Sequence, residues 1–276
     1  MITLEPDPLL RLRALVRRGR HTGPVTHLPG GQVTRARGRG LETADLRSFE
    51  HGDDPRHIDR NATARTGHPQ VRRFHAERDR TTILVADFRP SMLWGTRRTF
   101  RSVAAAEALC LAGWKTVIEG GRVGLIAVSA GEPVFRAAAG RDRAMVGVIG
   151  AMVRAHALAL DVVEAPEPPL SVALGLAHRI APRGAEVVVA SALDERGADF
   201  PELAQQLSHR TSLSFLRIVD AFEVERPAGQ YRFSTRSGRT GTAPGMNRLT
   251  EPELRGMRVT NYYSAEAPDA ELRHGG

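Results

Sequence analysis

Between Gly38 and Met92 the chain reads GRGLETADLRSFEHGDDPRHIDRNATARTGHPQVRRFHAERDRTTILVADFRPSM. The end of this stretch decides the fold. Thr82 to Asp87 is a short apolar run that delivers a carboxylate, with Arg89 and Ser91 directly after it. Open α/β sheets build ligand sites in this way, at the C-terminal ends of buried strands. The loop following Asp87 is therefore the candidate site.

Downstream, the same pattern repeats. Near-continuous apolar runs at Arg122 to Ser129, Glu186 to Leu193 and Leu213 to Val219 predict parallel strands covered on both faces. Helical spacing predicts helices at Arg97 to Glu119, Arg141 to Leu160, Leu170 to Ile180 and Asp199 to Ser208. Alternation of this kind implies a doubly wound, mostly parallel α/β sheet with right-handed crossovers. Glu132 to Ala138 reads as an extra edge strand, and Ala221 to Thr242 as a terminal hairpin. From Ser264 onward the small, polar sequence predicts a mobile tail.

Upstream, leucines at 9, 12 and 15 and Val16 mark a short amphipathic helix over Pro8 to Arg20. Asp54-Pro55 reads as a helix start, because Asp accepts backbone N–H groups as N-cap and Pro suits the first helical position. A helix from Pro55 to about Arg65, then a strand over His68 to Glu77, are expected. The organisation expected is an extension over 1–80, a core over 81–220, and a C-terminal hairpin and tail over 221–276 packed with the core.

Composition narrows the function. The 276 residues are 41% hydrophobic, ample for a core, and carry a formal charge of +8. Lys115 is the only lysine, so a phosphate-binding P-loop is excluded. The arginines are scattered among the acids without forming a basic block and aromatic residues are 5%, a poor match to a nucleic-acid surface. The single cysteine, Cys110, and the lack of a signal-like or membrane-length apolar run lead to the expectation of a cytoplasmic protein without membrane insertion.

The signature Gly52-Asp53-Asp54-Pro55-Arg56-x-Ile58-Asp59, with Asp45-Leu46-Arg47 before it and Ala64-Arg65 after it, resembles the family 58 domain of unknown function. That family resembles von Willebrand factor A (vWA) domains and is typically encoded beside MoxR-type AAA+ ATPases. The resemblance runs from Gly38 past Asp220. It implies a non-catalytic adaptor, or substrate-presenting partner, of such an ATPase and its client proteins. Arg60 departs from the pattern, which has Trp there.

The vWA fold implies a Mg²⁺ site of Asp-x-Ser-x-Ser plus a Thr and a second Asp from later loops. Here only Asp87 and Ser91 match. Arg89 replaces a serine, Pro168 lies where the Thr loop is expected, and Ser191-Ala192 stands where Ser-Asp should be. No cofactor is expected. One reading is that Arg89 folds back on Asp87 and supplies the charge the metal would supply, through a charge-assisted pair. The other leaves Arg89 in solvent, with Asp87 capping Ser91 or the turn. The partner surface implied is Asp87, Arg89, Ser91, Pro168, Ser191 and Ala192, with the 52–59 loop beside it.

Other chemistry is less well supported. His51, Asp53, Asp54, His57 and Asp59 are close in sequence, but Arg47, Arg56 and Arg60 compete for the carboxylates, so a salt-bridged loop is expected there. Ser91 has no Gly-x-Ser-x-Gly elbow, and Glu107 reads as a solvated or paired helix residue. The alternatives are an arginine-rich polyanion-binding module and, less well matched, a metal-dependent hydrolase.

Overall fold

The computed structural model describes residues 2–19, 43–50, 53–54, 58–74, 80–162, 165–224, 229–234, 240–244, 254 and 256–268. The chain divides into two compact units: residues 29–79, and residues 1–28 with 80–276.

The larger unit is built on a six-stranded sheet. Its strands are β3 (Thr81–Asp87), β4 (Arg122–Val128), β5 (Val134–Gly140), β6 (Glu186–Ser191), β7 (Ser212–Val219) and β10 (Arg258–Tyr263), in the order β10-β7-β6-β3-β4-β5. All neighbours are parallel except β4 with β5. The expected strands and the antiparallel edge strand are present. The sixth strand, β10, has no counterpart in the sequence reading, because RVTNYY at a half-covered edge lacks a continuous apolar run.

Side chains alternate between two cores, as the pleat requires. Leu84 and Ala86 face α3 (Arg101–Ile118) and α4 (Arg141–Asp161), whereas Ile83 and Val85 face α5 (Ser171–Ile180) and α6 (Phe200–Ser208). Helix α3 is buried around nearly its whole circumference, not on one face. The reason is that further helices cover its outer side. A Cβ on Gly113 would stand 2.6 Å from Met145 Sδ of α4, so the two helices meet where the side chain is absent. Helix α1 (Pro6–Arg17) also packs on α3: Trp114 Nε1 donates to the Leu9 carbonyl at 3.1 Å, and Leu9 and Leu12 join the core. This amphipathic helix thus belongs to the compact unit of the sheet.

Chain order reverses at β3, whose neighbours are β4 on one side and β6 on the other. The crevice above such a switch point is where open sheets bind ligands. Asp87 closes β3 and Ser191 closes β6 at this point. After β7 come a short turn of helix, α7 (Ala221–Val224), and the hairpin β8 (Gln230–Ser234) and β9 (Thr240–Pro244). Ser264 is not the start of a loose tail: it is buried, its N–H donates to Val219 O at 2.9 Å, and its hydroxyl donates to Asp220.

In the smaller unit, β1 (Thr43–Ser48) pairs antiparallel with β2 (Gln70–Phe74), and α2 (Arg60–Thr66) lies between them in sequence. The helix starts five residues later than expected. Asp59, not Asp54, is its N-cap, accepting from Ala62 N at 2.9 Å, and Gly67 at φ +74° ends it. Ile58 is held in a bridge to Val71. Asp54 is exposed, Asp53 accepts from Glu50 N, and Arg60 is exposed in the first turn. Gly52, Pro55, Arg56, His51 and His57 lie outside the described residues.

Candidate functional site

Asp87 sits at the end of β3 with none of its surface exposed. Its carboxylate receives four hydrogen bonds. Arg89 donates from Nε to Oδ1 and from Nη2 to Oδ2, both at 2.9 Å, and from its backbone N to Oδ1 at 3.0 Å. Ser191 Oγ donates to Oδ2 at 2.6 Å. Arg89 therefore folds back in a bidentate pair, the first of the two readings offered by the sequence.

The rest of the guanidinium reaches further than the sequence could indicate. Nη1 donates to Pro168 O at 2.8 Å and Glu195 O at 3.1 Å, and Nη2 donates to Asp194 O at 2.9 Å. A guanidinium carries five N–H donors in a fixed fork. Here two go to Asp87 and three to carbonyls from two other loops, so all are used. Burial, the largest single effect, disfavours the charge on Arg89, but Asp87, Glu167 and Asp194 together outweigh it, and the pKa lies above its ordinary value.

The geometry of the β6–α6 loop explains how two of those carbonyls turn inward. Leu193 and Glu195 adopt φ of +65° and +41°, a region that non-glycine residues enter only when their surroundings hold them there. It also explains why β6 stops at Ser191, two residues short of the expected Leu193. Leu193 N donates to Ser191 Oγ at 2.9 Å, fixing the turn.

Glu167 went unremarked in the sequence because prolines dominate its loop. It accepts from Ser91 N at 2.8 Å and Ser91 Oγ at 2.5 Å, and stands 3.3 Å from Arg89 Nη1. Burial raises its pKa, against the opposing pull of the Ser91 hydrogen bonds and Arg89. Ala192 contributes only its N–H, 3.2 Å from Met92 Sδ.

The residues expected to form the partner surface are thus brought together, but mostly inside. Asp87, Arg89, Ser191 and Ala192 are buried, so they shape the loops from within. The exposed surface over them is formed by residues 194–195 and by Pro166 and Pro169. The 52–59 loop belongs to the other compact unit.

The Mg²⁺ that the resemblance implies does not fit this arrangement. Asp87 has given its lone pairs to Arg89 and Ser191, and at about 4 Å a guanidinium and a divalent ion repel by roughly 8 kcal/mol at an effective dielectric of ~20. Among the described residues no three His, Cys, Asp or Glu side chains converge as a metal-ligating group.

Around this centre lies a charged belt that sequence reasoning missed, its members being far apart in the chain. Arg101 Nη1 donates to Asp194 Oδ2 at 2.9 Å, its Nη2 pairs with Glu223, and its guanidinium stacks over Trp94 at 4.2 Å. Glu107 is paired, both oxygens accepting from Arg98 at 2.8 and 2.6 Å. Asp220 is pushed up by burial but held below its ordinary pKa by hydrogen bonds from Thr96, Phe222 N and Ser264.

The description "Protein of unknown function DUF58" matches residues 45–250. Two mycobacterial proteins, Uncharacterized protein Rv1480 of Mycobacterium tuberculosis and Uncharacterized protein Mb1516 of Mycobacterium bovis, are each 32% identical over 190 residues, covering 60% of this chain. The matched part spans 59% of the length of these curated relatives. Two solved structures are similar: conserved hypothetical protein BatB from Bacteroides thetaiotaomicron, with 14% identity and a TM-score of 0.45, and an aerotolerance-related membrane protein from Bacteroides fragilis, with 13% and 0.43. They cover 70% of this chain, and 94% and 96% of theirs. With three quarters of its length matched by the family description, this chain belongs to the DUF58 family.

Proposed function

We propose that the chain is a non-catalytic vWA-like interaction domain whose loops above β3 and β6 form a docking platform for a MoxR-type AAA+ ATPase, as adaptor or substrate-presenting partner. The supporting observation is the saturation of Arg89, which ties three loops together through five donors and needs no metal to do so. The degenerate metal site is then a scaffold: Asp87 and Arg89 hold the shape, and the exposed loop surface makes the contact.

Two observations support the non-catalytic reading. Ser91 Oγ is engaged with Glu167, and the Ser102–His156 pair, 2.8 Å apart, is buried between α3 and α4. The platform lies in the cytoplasm in this reading, where the ATPase works.

The test is calorimetric binding of the purified chain to a nucleotide-free MoxR-type ATPase from the same cell, with and without chelator. Glu195→Lys changes an exposed side chain while leaving intact the carbonyl that holds Arg89, and should weaken binding tenfold or more. Arg179→Glu, near the far end of α5, should not. Chelator should leave the affinity unchanged. Unaltered affinity in Glu195→Lys, or the absence of any complex, would sink the platform.

A further inference from the structure

The two ends of the six-stranded sheet carry opposite charge. The end above Asp87 exposes Asp194, Glu195 and Asp199. At the other end β3, β4, β6, β7 and β10 begin, β5 finishes, and the helices α3, α5 and α6 terminate. Six arginines are exposed there. Arg122 starts β4, Arg141 and Arg143 stand in the first turn of α4, Arg179 in the last turn of α5, Arg183 in the turn into β6, and Arg258 starts β10. The register sets Arg122 opposite Gly140, the residue directly before Arg141.

The acids of this end do little to offset them. Asp142 pairs with Arg13 and Glu119 with Arg80. Glu186 is half-buried and accepts from the Thr82 hydroxyl at 3.2 Å. Two aliphatic side chains are exposed at the same end: Ile118, closing α3, at 41% and Ile180, closing α5, at 45%. They belong to helices on opposite faces of the sheet, one packed on Leu84 and the other on Ile83. Arginines alone would suit any polyanion. Isoleucines gain nothing from a nucleic-acid backbone, and the turns 119–122, 140–143, 181–185 and 209–211 hold no Phe, Tyr or Trp to stack on bases. Cations interspersed with exposed aliphatic groups fit an anionic bilayer, whose phosphates take guanidiniums bidentately while its acyl boundary takes the apolar side chains.

We infer that the end of the sheet where its parallel strands begin is a docking face for an anionic membrane surface: the exposed arginines lie against lipid phosphates, and Ile118 and Ile180 reach the acyl boundary. The chain rests on the bilayer without crossing it, and the acidic loops above Asp87 are turned away from the lipid. This face lies at the opposite end of the sheet from the ATPase platform and does not depend on it.

The test is co-sedimentation of the full chain with vesicles of phosphatidylcholine alone, and of phosphatidylcholine and phosphatidylglycerol in about equal parts. Binding to the mixed vesicles only, weakening as added salt screens the charges, is expected. Reversing two exposed charges together, Arg179→Glu with Arg183→Glu, should weaken it roughly tenfold or more. Ile118→Ser with Ile180→Ser keeps every charge and should weaken it about fivefold by removing the apolar contact. No sedimentation with the mixed vesicles at low salt, or an affinity unchanged in the arginine variant, would overturn the membrane face. Duplex DNA that displaces the vesicles and binds the isoleucine variant as tightly as the natural chain would give the face to nucleic acid and overturn the lipid assignment. Vesicle binding that persists where no ATPase complex forms would sink the platform alone, and the converse would sink the membrane face alone.

Discussion

Arg89, in the loop after β3, and Arg217, within β7, are both buried arginines of one sheet, and they differ in what their donors find. Arg89 has an acceptor for each of its five donors, whereas Arg217 has buried donors with none. Burial alone would class them together. The balance of donors and acceptors separates a cation that ties its surroundings together from one that does not.

The largest expected effect breaks the comparison at Arg89. Arg89→Ala leaves the Asp87 carboxylate buried and uncompensated and frees three loop carbonyls. Removing one partner of a buried pair costs about 3–5 kcal/mol, so urea denaturation should show a loss of that size. A loss under about 1 kcal/mol would mean that the pair is not what holds the loops.

A second effect comes from the core beneath the site, and it titrates. Phe88, next to Asp87, packs edge-on to His156 with ring centroids 5.2 Å apart. Burial lowers the His156 pKa from 6.5 to about 4. A lowered folded-state pKa stabilises while the imidazole is neutral in both states, above pH 6.5, and that stability drains as pH falls toward 4. By pH 5 the loss is about 2 kcal/mol. Urea midpoints at pH 7 and 5 should show it, and His156→Gln should flatten it. This separates acid loosening of the core from any failure of the Arg89 hub.

The smallest effect sharpens the contrast. Arg217→Leu removes unmatched donors from the interior while Glu223 keeps Arg101, so stability should change by no more than about 1 kcal/mol in either direction. A loss as large as that of Arg89→Ala would erase the distinction between the two arginines.

Much of the frame was legible. The apolar runs ending at Asp87, Val128, Ser191 and Val219 are long enough, and buried enough on both faces, to be read without any structure. The Asp87–Arg89 pair was also within reach, because two residues of separation bring a carboxylate and a guanidinium together locally. The start of α2 was misread because two capping candidates stand close together. Asp54-Pro55 and Asp59 both carry a capping side chain, and the bridge from Ile58 to Val71 decided between them.

The sequence by itself determined the alternation of strands and helices and the charged residues that close β3. Periodicity and local spacing carry those properties. Only the tertiary structure decided that Arg89 is saturated and Arg217 is not. Three of Arg89's acceptors are backbone carbonyls 79, 105 and 106 residues away. A carbonyl belongs to every residue and leaves no mark in a side-chain pattern, so its availability depends on which loops the fold brings together.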